Sequence, residues 1–117
     1  MPVAEVNKDN FQSEVLECDK PVLVNFWGDG CIPCDGIAPV LEELADKFQG
    51  KVKFVKLNVC ENPKLAAQFG SMWLLPTLAI FKSGELVGVF DWQSDFTTWI
   101  LTRSELSGID QLLREKA

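Results

Sequence analysis

The sequence predicts an α/β sandwich, a mixed sheet with helices on both faces and an antiparallel hairpin at one edge. Three observations predict it. Residues 21–27, Pro-Val-Leu-Val-Asn-Phe-Trp, form a near-continuous β-prone run, as in a central strand buried on both faces. Strand-like runs alternate with stretches whose apolar residues recur at three- and four-residue spacing, the order expected of α/β units. Two short strands, 77–81 and 86–90, are separated only by Lys82-Ser83-Gly84-Glu85, which reads as a hairpin turn.

Each element has its own warrant. Val3–Val6 is a short apolar strand, and Asn7 offers a side-chain oxygen to cap a helix whose apolar positions are Phe11, Val15 and Leu16. Lys20-Pro21 ends that helix, and Gly28-Asp29-Gly30 ends the central strand. From Pro33, residues Ile37, Val40, Leu41, Leu44, Ala45 and Phe48 define a long amphipathic helix that reaches Gln49-Gly50, with a kink expected at Pro39. Residues 52–59 form another strand run. Asn62-Pro63 then starts a short helix with Leu65, Ala66 and Phe69, stopped by Gly70. Ser104 caps a last helix with Ile109, Leu112 and Leu113 facing inward.

Composition narrows the function classes. A length of 117 residues with 47% hydrophobic content suits one domain, 1–117. A charged fraction of 24% and a mean hydropathy of +0.07 are ordinary for a folded chain. The longest apolar run, 72–81, is interrupted by Pro76 and Thr77 and falls well short of the roughly 20 residues a membrane helix needs. Residues 1–20 carry several acids and no apolar block, so no secretory signal is expected and the chain reads as cytoplasmic. The net charge is −6, and the first 50 residues hold ten acids against three lysines. That charge opposes binding to phosphate backbones and anionic lipid, so neither nucleic acid nor a membrane is an expected partner. There is no His and no Tyr, which removes His-based metal sites, Ser-His and Cys-His nucleophile pairs, and His general acid–base work.

Chemistry is therefore sought at the four cysteines, 18, 31, 34 and 60. Cys31-Ile32-Pro33-Cys34 lies at a strand-to-helix junction. Cys31 at a helix N-terminus meets unpaired N–H groups and the positive end of the dipole, which favour a thiolate. Cys34 follows one helical turn later on the same face, close enough to form a disulfide and to resolve a mixed disulfide at Cys31. Pro33 lacks an N–H that would be unpaired anyway and presets the helical φ. A Cys-x-x-Cys can also be half of a zinc site or contribute to an iron–sulfur cluster. A second such pair or His ligands are missing here, so ligand count disfavours both and no metal is expected.

Residues 21–57, with Pro-Val-Leu-Val-Asn-Phe-Trp, Cys-Ile-Pro-Cys, Ile-Ala-Pro, Leu-Glu-Glu-Leu-Ala and Val-Lys-Leu, resemble the core of the thioredoxin family. Asn58, Asn62-Pro63, Phe69-Gly70, Pro76-Thr77-Leu78 and Phe81-Lys82-Ser83-Gly84-Glu85 continue the resemblance over nearly the whole chain. It implies a thioredoxin fold, in which a central mixed five-stranded sheet is flanked by four helices in three α/β/α layers. It implies protein disulfide reduction by Cys31 and Cys34 with no cofactor beyond that redox-active disulfide. Disulfide-containing proteins would be the substrates, a flavin-dependent reductase of the thioredoxin-reductase kind would restore the dithiol, and the chain would be a monomer. Pro76 would be the family's cis-proline, placing the Leu75 backbone where an extended substrate could pair with it. Trp27, Gly30, Ile32, Pro33, Leu75 and Pro76 are thereby expected to contact substrate, and Asn25, Lys56 and Asp35 to tune the thiols.

The chain also departs from the family pattern. Asn25 stands where a typical member has a buried Asp, and an amide cannot accept or relay a proton in its place. Lys56 loses its carboxylate partner and is expected to turn outward or find another acceptor. Gly30 replaces an aromatic residue, Ile32 a Gly, and Asp35 a Lys; an acid beside the thiols opposes thiolate formation and repels acidic partners. Cys60 takes the place of an Asp near Trp27. It is either a third thiol within reach of the site or a small buried residue, and the burial habits of Cys favour the second. Cys18 reads as structural or at the solvent edge. Residues 71–75 are one residue longer than usual and bulkier, and the segment 90–99 adds Phe90, Trp92, Phe96 and Trp99, which pack on the sheet or form a docking surface. These departures point to a reductase with a narrow partner set. The alternative is a thioredoxin-fold adaptor or chaperone whose Cys pair is dispensable. An oxidant or isomerase needs a less reducing pair, which the motif alone does not decide.

Overall fold

Alternation of buried side chains between two faces organises the sheet. Along β2 (Val22–Trp27), Val22, Val24 and Phe26 join one apolar cluster, while Leu23 joins the other. The computed structural model describes residues 3–69 and 75–91. Its sheet has five strands in the order β1-β3-β2-β4-β5, with β1 Val3–Val6, β3 Lys53–Asn58, β4 Thr77–Lys82 and β5 Glu85–Asp91. β3 pairs parallel with β1 and β2, and β4 pairs antiparallel with β2 and β5. The predicted mixed sheet with an edge hairpin is therefore observed.

Helices cover both faces. α1 (Ile32–Lys47) buries Ile37, Leu41, Leu44 and Ala45 against Leu23, Phe54, Leu78 and Ile80. It is one helix through Pro39. On the opposite face, Phe11 and Val15 join Ala66 of α2 (Pro63–Gln68) against Val24, Phe26, Val55, Leu57 and Phe81. Phe11, Phe69 and Phe81 pack there with ring centroids 5.3–5.7 Å apart, Phe81 edge-on to the other two. Phe11 and Phe81 are buried, and each is worth about 3–5 kcal/mol against alanine. The layers are α/β/α as predicted. Three helical segments lie among the described residues; the expected fourth helix, after Ser104, and the aromatic positions Trp92, Phe96 and Trp99 fall outside them.

Two local expectations change. The helix after Asn7 includes a π-helical turn, Gln12–Leu16, closed by the Glu17 N–H donating to the Gln12 carbonyl at 2.9 Å. Asn7 still organises its start, because its Oδ1 accepts from the Asp9 and Asn10 N–H groups at 2.8 and 3.3 Å. The hairpin loop is two residues rather than four: Lys82 already pairs with Glu85, and Ser83 and Gly84 both have positive φ, 53° and 80°. That is the twist a two-residue turn needs to match its strands.

Candidate active site

The strand-to-helix junction places the Cys pair beyond the carboxyl end of the central strand, β2. β2 ends at Trp27, the chain turns through Gly28, Asp29 and Gly30, and Cys31 is the N-cap of α1. Gly30 has a φ of +76°, a left-handed conformation that favours glycine. Cys31 Sγ accepts from the Cys34 N–H at 3.1 Å, so the sulfur occupies the place of a capping oxygen. Pro33 stands in the first turn, where the helix tolerates it.

Cys31 and Cys34 are joined as a disulfide with their Cα atoms 5.2 Å apart. The two sulfurs differ in access: Cys31 is half-buried, Cys34 only 4% exposed. Ile32 between them is 81% exposed, an apolar side chain presented to solvent beside Cys31. A thiol pair of this geometry can alternate between dithiol and disulfide, exchanging two electrons.

Behind Cys34 lies a cleft of about 250 Å3 lined by Asn25, Trp27, Cys34, Asp35, Ala38 and Lys56. The sheet register builds it, since Asn25 on β2 sits opposite Lys56 on β3 and Trp27 opposite Asn58. Asn25 is 4% exposed, and its Oδ1 is buried without a hydrogen-bond partner among the described residues, as is Trp27 Nε1. The expectation that Lys56 turns outward or finds another acceptor is not met: it is not fully exposed, and no oxygen acceptor meets it among the described residues. It stays half-buried with Nζ 6.0 Å from the Trp27 ring centroid, where the negative face of the indole attracts the ammonium. Asp35 lines the cleft mouth and is exposed.

A polar network holds the loops beyond the strands. Asn58 Nδ2 donates to Asp29 Oδ1 at 3.2 Å, and Asn58 Oδ1 accepts from the Cys60 N–H at 2.8 Å. Asn62 Nδ2 donates to the Asn58 carbonyl at 3.0 Å, and Asn62 Oδ1 accepts from the Lys8 N–H at 3.0 Å. Asn58 thus anchors both the loop before Cys31 and the turn after β3. Sequence reasoning gave it no role, although an Asn at the end of a buried strand is a signal for such an anchor. Cys60 itself is exposed, which corrects the expectation of burial: the turn after β3 carries its side chain out of the core. Cys18 is half-buried beside the second apolar cluster.

Leu75 and Pro76 complete the described surroundings. The Leu75–Pro76 peptide is cis, and Pro76 is buried. Leu75 and Cys60 both approach Gly28, where an added Cβ would lie 2.9 Å from Leu75 Cδ1 and 3.4 Å from Cys60 Sγ. The bulky residues 71–74 lie outside the described residues. Among the described residues, no group of three or more Cys, Asp or Glu is placed to hold a metal ion, and no helix is long and apolar enough to cross a membrane.

The family model for thioredoxin matches residues 2–99. Over 84 residues the chain is 49% identical to "Thioredoxin 1" of Nostoc sp. (strain PCC 7120), covering 72% of this chain and 78% of that protein. It is 48% identical over 83 residues to "Thioredoxin" of Chlorobaculum thiosulfatiphilum, covering 71% and 76%. It is also 48% identical over 85 residues to "Thioredoxin" of Haemophilus influenzae, covering 73% and 78%.

Proposed function

The chain belongs to the thioredoxin family and is a thiol–disulfide oxidoreductase, and from that premise we propose that it reduces protein disulfides through Cys31 and Cys34, with 1–117 acting as one cytoplasmic, monomeric domain. The observation that carries this reading is the disulfide at the mouth of α1, half-exposed at Cys31 and buried at Cys34. The Cys31 thiolate attacks a substrate disulfide, forming a mixed disulfide and releasing one substrate thiol. Cys34 then attacks Cys31 Sγ, the second substrate thiol leaves, and the protein keeps the Cys31–Cys34 disulfide. Two electrons and two protons pass to the substrate. A flavoprotein of the thioredoxin-reductase kind returns them, and no other cofactor is needed.

Trp27, Gly30, Ile32, Pro33, Leu75 and Pro76 form the substrate face of this reading, and Asn25, Lys56 and Asp35 tune the thiols. The exposed Ile32 and the acid at Asp35 support a narrower partner set than a general thioredoxin has, because they favour apolar contact and repel acidic partners. The test is insulin reduction with dithiothreitol as electron source. Turnover well above dithiothreitol alone is expected, and a rate equal to it refutes the assignment. Equilibration with glutathione gives the potential, expected near about −270 mV; a far more oxidising value makes the chain a disulfide donor instead. If Cys31→Ser with Cys34→Ser keeps partner binding and cellular function, the chain is an adaptor.

A further inference from the structure

Cys34 is 4% exposed, so its proton must leave through the cleft behind it before the sulfur can attack a mixed disulfide. The cleft measures about 250 Å3, and a water takes up roughly 30 Å3 in the liquid, so there is room for several. Asn25 lines this space too, and its Oδ1 is buried without a hydrogen-bond partner among the described residues. An amide cannot take a proton. Among the described residues, the charged groups lining the cleft with Cys34 are Lys56 from β3 and Asp35 from α1. β2 contributes only the neutral Asn25 and Trp27, and Leu75 and Pro76 carry no charge. The Lys56 ammonium has no acceptor capacity. Asp29, the other acid of the junction, accepts from Asn58 Nδ2 at 3.2 Å and does not line the cleft.

Resting on the oxidoreductase reading, we propose that Asp35 accepts the Cys34 proton through water in this cleft, taking over in the resolving step the work of the missing buried carboxylate. The Cys34 S–H bond breaks and the proton passes by way of the water to an Asp35 oxygen. The Cys34 sulfur bonds to Cys31 Sγ, the bond from Cys31 to the substrate sulfur breaks, and the leaving thiolate regains a proton from Asp35 or solvent. The dithiol is oxidised and the substrate disulfide reduced by two electrons, with no further reagent. Asp35 acts here as a positioning residue for the proton, since it works through water. A bare negative charge beside a thiol disfavours the thiolate and slows attack; a proton acceptor speeds it. The two roles predict opposite signs.

The experiment is stopped-flow reaction of the reduced protein with the aromatic disulfide dithiobis(nitrobenzoate), in a Cys18→Ser, Cys60→Ser background. The first release of nitrothiobenzoate reports attack by Cys31, and the second reports resolution by Cys34. With Asp35→Asn, the second phase is expected to slow by about tenfold or more near neutral pH and to become proportional to hydroxide, while the first phase is unchanged or faster. Asp35→Glu, or Asn25→Asp added to Asp35→Asn, restores the second phase. A second phase as fast as or faster than in the parent, or equal slowing of both phases, overturns the proposal and leaves the oxidoreductase reading standing. A parent that shows no second release overturns that reading itself.

Discussion

Asn25 and Lys56 are register partners on adjacent parallel strands, and both line the cleft that reaches Cys34, where Asp35 is the one carboxylate among the described lining residues. A neutral amide therefore stands beside an ammonium whose partner is the Trp27 ring face.

Restoring a carboxylate at this place tests that electrostatic arrangement. At a position 4% exposed, desolvation raises the pKa of an Asp more than the half-exposed Lys56 lowers it. The folded pKa of Asn25→Asp then exceeds the unfolded value, so the deficit is smallest below the unfolded pKa and grows as pH rises through the folded one. At slightly alkaline pH we expect a loss of about 1–3 kcal/mol in urea unfolding. A deficit that does not change with pH contradicts the account.

Gly28→Ala separates packing from function. Its Cβ would lie 2.9 Å from Leu75 Cδ1, the far end of a flexible side chain, and 3.4 Å from Cys60 Sγ and Val59 Cγ2. Leu75 can turn away at a cost of about 1 kcal/mol or less, but it then leaves the substrate face. Insulin reduction should fall several-fold in kcat/KM while the melting temperature shifts little; the reverse pattern contradicts a role for Leu75.

The hairpin turn offers a stability test remote from the thiols. Gly84 has a φ of +80°, and a Cβ there would sit 3.0 Å from the Leu16 carbonyl oxygen. Gly84→Ala should cost about 1–3 kcal/mol. Ser83 has a φ of 53°, and Ser83→Asn, better suited to that region, should gain about 0.5 kcal/mol. Both are read from chemical unfolding midpoints.

Thiol accessibility follows from the fold. In the oxidised protein Cys60 is exposed and Cys18 half-buried, so iodoacetamide should modify Cys60 first. Peptide mapping after brief labelling checks the order, and equal labelling would contradict the placement of Cys60.

Replacing the buried thiol should arrest the reaction halfway. Cys34→Ser is expected to accumulate a Cys31-linked mixed disulfide with substrate, visible by intact mass and lost on reduction. The oxidised parent should also exceed its reduced form in unfolding free energy by about 2 kcal/mol, the chain-entropy value for so short a loop. No adduct under substrate excess would count against Cys31 as the attacking thiol.

The strands, α1 and the strand-to-helix junction were legible because side-chain periodicity reports backbone form and buried face within a few residues. The disulfide between Cys31 and Cys34 was foreseeable for the same reason, since one helical turn separates them. The π-helical turn at Gln12–Leu16 was not, because Phe11, Val15 and Leu16 present the same apolar pattern whether the chain closes i→i−4 or i→i−5 bonds. The two-residue loop was missed because Lys82 and Glu85, polar enough for a turn, are held in the strands by each other.

By itself the sequence determined the order of elements, the faces they bury and the presence of a redox pair at a helix mouth, all of them consequences of local spacing. Only the tertiary structure decided where side chains far apart in the chain meet. Register across β2 and β3 set Asn25 beside Lys56 and let that ammonium rest near Trp27. Packing of α1 on the sheet brought Asp35 to the rim of their cleft, and the turn after β3 carried Cys60 into solvent. Contacts of this kind depend on strand pairing and helix placement across about thirty residues of chain, a distance over which local periodicity carries no information.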